Sequence, residues 1–587
     1  MFGKNGDQIK SKSATAETIE LEIAGMTCDH CAVSIEKRFE GKQGIVNKRV
    51  SYGEKKGTFT YDPTLVSQDD IIETINKSKS YRVQGVISGN GLKESDSNLT
   101  ALVKSPVSGQ GSNIATGGNH FDLIIIGGGS AAFSAAIKAE DLRLSTLMVN
   151  AGLPFGGTCV NVGCVPSKTL IRSAETVYHA SHSNFEGIKP KGFELDFSKV
   201  IKEKKQLVAT LQQKKYLDVV SDFENLQMIE GWAEFLDKKT ILVNGKEKYT
   251  ALKFIIATGA TTNVPKIDGL QEVGYLTNST LFDLEDKPES LTIMGAGYIG
   301  LEIAMAYNRL GVKVRIIEFT DRVLRTQTPD ISEELEKQMR AEGIEILPNF
   351  RAVKFEKSGA DTIIYCKCPD GSVTKLVEPG RILVVSGITP NTKRLGLQNI
   401  GINLTEKGNI VVNEKMETNV PNVYAAGDVT STPAFVYTAA HEGKVAVENA
   451  FTGAEKKVEY SSLPWVVFTD PQVAGAGLDE VQAEAQGIPF EVSKLPLSEV
   501  PRSIAARDTR GFIKLIRNSE TDKLIGARVV APEGGELIQQ LSMVIKYGIT
   551  VTDLAQGLYP YLTLGEGIKL AAITFGKDVS KLSCCAS

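Results

Sequence analysis

Residues 121–140 read FDLIIIGGGSAAFSAAIKAE. A buried strand, a glycine turn and a helix follow one another without a break. Gly127, Gly129 and Ala132 fit the G-x-G-x-x-G/A spacing, in which backbone N–H groups at a helix start receive a pyrophosphate. One such fingerprint is weak evidence. The pattern returns in LTIMGAGYIGLEIAMAYNRLGVKVRIIEF, residues 291–319, where Gly295, Gly297 and Gly300 complete a second fingerprint. Two dinucleotide sites in one chain predict an α/β fold class with two Rossmann-like domains, one for FAD and one for NAD(P)H.

Between them lies GGTCVNVGCVPSK, residues 156–168. Cys159 and Cys164 straddle an expected helix start, and one helical turn spans about 3.6 residues, which brings them within disulfide reach. A helix N-terminus and Lys168, one turn beyond Cys164, both favour thiolate over thiol. A structural crosslink needs no such activation, so the pair reads as redox-active.

The remaining strands supply cofactor contacts. The strand after the first fingerprint ends in Asn150, where an acidic ribose ligand is expected; an amide also hydrogen-bonds a hydroxyl. The second ends in Glu318, which suits a ribose diol and NADH, whereas Arg322 and Arg325 suit a 2′-phosphate. The two readings stay open, as NAD(P)H.

The 587 residues carry 66 basic and 70 acidic side chains, a net charge of −4, with 42% hydrophobic and 23% charged residues. Several globular domains fit that length, and nothing points to nucleic acid or a membrane surface. The polar start MFGKNGDQIKSKSATAE has no signal-peptide core and no apolar run reaches about 18 residues, so a cytoplasmic protein without membrane insertion is expected. The 8 cysteines are clustered, which in a reducing compartment means metal binding or thiol catalysis.

Residues 17–87 read as a βαββαβ module with GMTCDHC at the start of its first helix. Cys28 and Cys31 suit a soft metal ion, with His30 a loop residue; a zinc half-site or a redox pair is the alternative. Residues 88–119, rich in Gly, Ser and Asn, read as a flexible linker. Cys366 and Cys368, on a strand leading into a turn, read as structural. Alternating strands and two helices, Glu536–Tyr547 and Gly565–Thr574, close the chain, which ends in KLSCCAS with Cys584 and Cys585.

GGTCxNxGCVPSK between two fingerprints resembles the active-site signature of the flavin-dependent pyridine nucleotide-disulfide oxidoreductases, and GMTCxxC resembles the heavy-metal-associated domain, of ferredoxin-like fold. The resemblance implies an FAD domain (120–270 and 390–460), an NAD(P) domain (271–389) and an α+β dimerisation domain (461–587) of a homodimer. It implies FAD contacts at Gly157, Thr158, Lys168, Gly259 and Asp428, and a carboxylate, Glu302, paired with Lys168. In disulfide-reducing members the last domain carries His-Pro-Thr-x-x-Glu; here Tyr561 stands at the histidine position and Glu566 is kept. A phenol with pKa near 10 is a poor proton shuttle at neutral pH, which argues against an organic disulfide substrate.

Tyr561, Tyr275, the terminal cysteines and the N-terminal CxxC together are similar to the mercuric ion reductase family, which leans toward NADPH. Its implied chemistry is a relay of Hg(II), from small-thiol complexes, through Cys28/Cys31, then Cys584/Cys585 of the partner subunit, then Cys159/Cys164. Cys164 lies against the flavin, Cys159 performs exchange, and the two tyrosines assist at the metal. The competing readings are a dihydrolipoamide dehydrogenase-like disulfide reductase and a metal chaperone that keeps its own thiols reduced.

Overall fold

The computed structural model describes residues 16–24, 32, 35, 36, 38, 39, 42–52, 54–77, 81–89 and 119–578. The chain divides into two compact units, residues 1–110 and 111–587.

In the first unit, four antiparallel strands lie in the order Ile45–Ser51, Lys56–Tyr61, Glu17–Ala24, Arg82–Gly89. Alternation along Glu17–Ala24 turns Ile19, Leu21 and Ile23 inward, where Phe59, Tyr61, Ile71 and Ile75 meet them. The helix Gln68–Asn76 starts at a Ser67–Asp70 capping box and contributes Ile71 and Ile75. Ala32 and Ile35 are also helical and buried. Strand order and helix placement are those of a ferredoxin-like βαββαβ module.

The second unit begins with the strand His120–Ile126, apolar on both faces: Leu123 and Ile125 share a core with the helices Ser130–Asp141 and Val436–Thr452, and Ile124 and Ile126 share one with the strands Ala233–Asp237 and Thr240–Val243. It pairs in parallel with Thr146–Asn150 and Glu247–Ile256; Leu226–Glu230 and Val423–Ala425 extend the sheet on either side. A second parallel sheet runs Glu345–Leu347, Lys313–Ile317, Ser290–Met294, Arg381–Val384. Both glycine turns leave the carboxyl end of a parallel strand, where open α/β sheets bind ligands. The C-terminal part is a five-stranded antiparallel sheet from Trp465–Val467 to Leu524–Ala531. The helices Gly534–Lys546 and Leu564–Ile573 pack on it. These two begin slightly earlier than their apolar repeats suggest. Three shorter helices, Glu480–Ala485, Pro501–Ala505 and Val551–Gln556, have too few turns for a repeat to declare them. No helix among the described residues is long and apolar enough to cross a membrane.

Candidate active site

The first glycine turn and the cysteine segment are built against each other. Gly127, at φ +132°, packs so closely that a Cβ would lie 2.1 Å from the Ala257 carbonyl oxygen. Gly157, at φ +64°, would place a Cβ 2.5 Å from Gly129 Cα. Neither position tolerates a side chain. Ala132 is buried in the helix Ser130–Asp141, whose N-cap is Gly129 and whose first N–H groups receive no side-chain cap. That cradle of unpaired donors fits the pyrophosphate of FAD. Asn150 is buried under Gly128 and donates its amide to Leu153 O at 2.9 Å. Gly259 is held at the edge of the same site by reciprocal hydrogen bonds between Thr258 and Asn391, both 2.9 Å.

Cys159 lies in the short helix Gly157–Val162, and Cys164 opens the 18-residue helix Cys164–Ser181. Thr158 is exposed. Gly163 between the cysteines lets the chain fold back onto the Thr158 carbonyl, 2.9 Å from where a Cβ would stand. Both thiols are free and half-buried. They are unequal. The hydrogen bond from the Cys159 thiol, aided by the Lys168 ammonium and opposed by burial and by Glu302, holds Cys164 down to about 7. Cys159, the donor, is pushed well up. Of the two thiols, Cys164 is the one that gives up its proton first.

Lys168 Nζ donates to Glu302 Oε2 at 2.7 Å. Glu302 is buried on the helix Tyr298–Arg309, and its other oxygen accepts the Phe468 N–H at 3.0 Å. The Phe468 ring lies 4.5 Å from Lys168 Nζ. No motif announces Phe468, which reaches the site only because the C-terminal sheet packs there.

At the second glycine turn, Gly297 caps the helix without a side-chain bond and has open space beside it; Gly295 and Gly300 pack against the Val385 segment. The donor set fits a second dinucleotide. Glu318 is buried, accepting Ala296 N–H at 2.7 Å and Thr320 N–H at 2.8 Å. It therefore clamps the glycine turn, and its remaining lone pairs are what a ribose diol has to use. Arg325 is exposed and paired with Asp321 at 2.8 Å; Arg322 pairs with Asp321 at 2.9 Å, and its buried Nε has no partner.

Tyr275 is half-buried, with its hydroxyl bonded by Gln271 at 3.3 Å. Three residues on, Asn278 donates to Val162 O at 3.5 Å, so this segment borders the cysteine helix. Tyr561 is 53% exposed in a turn clasped by Glu566, which accepts the Leu562 N–H at 3.2 Å. Asp428 is half-buried; burial pushes its carboxyl up, and the neighbouring charge of Glu442 adds to this. Cys366 is 0% exposed, with its thiol pushed up to about 11 by burial, and Cys368 folds back so that its Sγ is 3.8 Å from the Cys366 carbonyl oxygen. Among the described residues no cluster of three or more His, Cys, Asp or Glu could hold a metal. Cys28, His30, Cys31, Cys584 and Cys585 lie outside the described residues.

Residues 121–443 match the pyridine nucleotide-disulphide oxidoreductase family, 463–572 its dimerisation domain and 20–82 the heavy-metal-associated domain. The chain is 38% identical to a mercuric reductase of Lysinibacillus sphaericus, over 97% of this chain and 99% of that protein. It is 37% identical to one from Staphylococcus aureus, over 97% and 100%, and 41% identical to one from Streptomyces lividans, over 79% and 98%. Among solved structures, the Cu(II) complex of the HOCl-induced flavoprotein disulfide reductase of Escherichia coli superposes with a TM-score of 0.70 at 26% identity, covering 78% of this chain and 100% of that one.

Proposed function

The chain belongs to the pyridine nucleotide-disulphide oxidoreductases and, among them, to the mercuric reductase family, and from that premise we propose how its own residues carry the reduction of Hg(II). FAD and NAD(P)H, seated in the two glycine cradles, supply the two-electron chemistry. The cysteine pair binds the substrate. Hg(II) is thiophilic and prefers two sulfur ligands. As the Cys164 thiolate forms an S–Hg bond, a bond from the metal to one carrier sulfur, of Cys584 or Cys585 of the partner subunit or of a small thiol, breaks. The Cys159 thiol then displaces the second ligand, and its proton leaves with the departing thiolate. Lys168, steadied by Glu302 and Phe468, stabilises the thiolate that receives the metal.

The observation that carries this reading is the placement of two free, half-buried thiols beside the first glycine turn, with Cys164 at the N-terminus of the helix Cys164–Ser181 and Lys168 one turn beyond it, which makes Cys164 the readier ligand. Cys28 and Cys31 collect the ion, and Cys584 and Cys585 of the partner subunit pass it inward, so the site is shared across a homodimer. Tyr275 and Tyr561 crowd the incoming complex and favour loss of its thiol ligands. Domain limits of 17–87, 120–270 with 390–460, 271–389 and 461–587 go with this reading, as does a cytoplasmic location, where thiols stay reduced.

Anaerobic titration of the flavinylated chain with Hg(II), following NAD(P)H absorbance and mercury vapour, tests it. One Hg(0) released per NAD(P)H consumed is the expected result. Stoichiometric binding of Hg(II) without NAD(P)H consumption overturns it, as does turnover of lipoamide or glutathione disulfide at the rate of the metal.

A further inference from the structure

Glu442 is 0% exposed, in the middle of the helix Val436–Thr452, with no cationic partner. Its carboxylate makes two short contacts. Oε2 accepts the Gly427 N–H at 2.6 Å, and Oε1 accepts the Tyr460 hydroxyl at 2.6 Å. Burial pushes this carboxyl up, and hydrogen bonding by Tyr460, the Gly427 N–H and Thr432 offsets part of that effect. A carboxyl in such a place costs stability unless its geometry is used.

Three pieces of backbone meet at this point. Gly427, at φ +78°, is the turn residue before Asp428, and a Cβ there would stand 3.3 Å from Ala439 Cβ and 3.5 Å from Ala131 Cβ. Gly443, the neighbour of Glu442, packs so tightly on the helix of the first fingerprint that a Cβ would lie 2.2 Å from Ala131 O. The Gly427 carbonyl is tied separately, by Thr430 Oγ1 at 2.8 Å and Thr430 N–H at 2.9 Å. The turn carrying Asp428 is thus held from its N–H side by one side chain, Glu442, and that side chain is fixed by Tyr460 with Thr432 beside it.

We propose that Glu442, backed by Tyr460, is a positioning residue for the flavin: it fixes the Gly427–Asp428 turn against the first glycine cradle and so sets how tightly, and at what angle, FAD is held. This rests on reading Asp428 and residues 127–132 as part of the FAD site. The hydrogen-bond pattern makes a specific demand on substitutions. Glutamine satisfies both neighbours, because its carbonyl accepts from Gly427 and its amide donates to a Tyr460 hydroxyl turned around to accept. Methionine and alanine satisfy neither, and leave the Gly427 N–H buried without a partner.

The test uses the full-length holoenzyme with Glu442→Gln, Glu442→Met and Glu442→Ala, and Asp428→Asn as the control on the underlying reading. FAD release is followed by the rise of flavin fluorescence, and flavin orientation by visible circular dichroism. Glu442→Met and Glu442→Ala should release FAD faster by about tenfold or more, with an altered flavin spectrum, while Glu442→Gln stays close to wild type in both. Whichever of the two apolar variants retains a wild-type melting profile for its protein fold suffices for the comparison. Wild-type release by Glu442→Met or Glu442→Ala overturns the proposal, and so does release by Glu442→Gln as fast as theirs. Wild-type release by Asp428→Asn overturns the reading of Asp428 instead.

Discussion

Lys168 Nζ, 2.7 Å from Glu302 Oε2, pins the helix that begins at Cys164 to the helix that begins at the second glycine turn. Whatever settles in that second turn therefore acts on a helix that touches the thiolate's counter-ion. The two partners push on Cys164 in opposite senses, since Lys168 lowers its pKa and Glu302 raises it.

That opposition gives the first prediction. Lys168→Met should move the pH midpoint of Cys164 alkylation upward from about 7, by up to about one unit, which is tenfold less thiolate on the acid side. Glu302→Gln should move it downward. Mass spectrometry of the Cys164 peptide after iodoacetamide pulses at graded pH measures both; equal shifts of one sign would exclude the ion pair as their source.

Cys159 works on Cys164 mainly through its hydrogen bond. Cys159→Ala should raise the Cys164 midpoint more than Cys159→Ser, whose hydroxyl still donates. Both should lose at least about a hundredfold in Hg(II) turnover, as expected when one of two acting groups is removed. Alkylation profiles separate the two variants even where turnover is too slow to compare.

Gly157→Ala forces a Cβ to 2.5 Å from Gly129 Cα at a positive φ. The strain, about 1–3 kcal/mol, falls on the contact between cysteine helix and first glycine turn. Flavin content after purification should drop, and FAD affinity with it; full flavin occupancy would mean the two segments separate without cost.

Lys514 is buried, with Nζ bonded to Glu480 at 2.7 Å, Thr328 at 3.0 Å and Asp330 at 3.1 Å, which joins the helix Pro329–Ala341 to the C-terminal sheet. Burial opposes the Asp330 charge, but the Thr328 hydroxyl and the ammoniums of Lys494 and Lys514 outweigh it and hold the carboxyl down to about 2. A carboxyl depressed in the folded state stabilises the fold above its unfolded pKa, about 4, and that contribution fades as pH falls toward 2. Lys514→Met should cost about 1–3 kcal/mol near neutrality, because it takes a donor from two half-buried carboxylates, Asp330 and Glu480, and should flatten the dependence of melting temperature on pH between about 4 and 2.

Tyr561→Phe removes one hydroxyl from a side chain that is 53% exposed. Stability should change by less than about 0.5 kcal/mol, while kcat for Hg(II) should fall by about tenfold or more. Stopped-flow turnover alongside thermal melting checks the pair of expectations; unchanged kcat removes Tyr561 from the reaction.

Much of this was legible in the chain. Both glycine turns, the strands feeding them and the helix behind Cys164 follow from local rules, since fingerprint spacing and apolar runs are sequence-local. Contacts assembled by packing were not. Phe468 reaches Lys168 from a sheet remote in sequence, and nothing in its neighbourhood marks it. Glu442 had a faint signal, an acidic residue on the helical face of Ala439, Gly443 and Ala446, where only apolar or small residues belong. Glu318 shows the limit from the other side. Its place at a strand end was readable, but not that two backbone amides already claim its oxygens.

Cys366 sits on the strand Asp361–Lys367 with its side chain in the core. A cargo that clings to every sulfur it meets makes each bystander thiol a decoy, and this one, at 0% exposure, is walled off. Its burial leaves that sulfur no surface at which to exchange ligands, so the core around Cys366 removes one competing thiol from the reach of a soft metal ion.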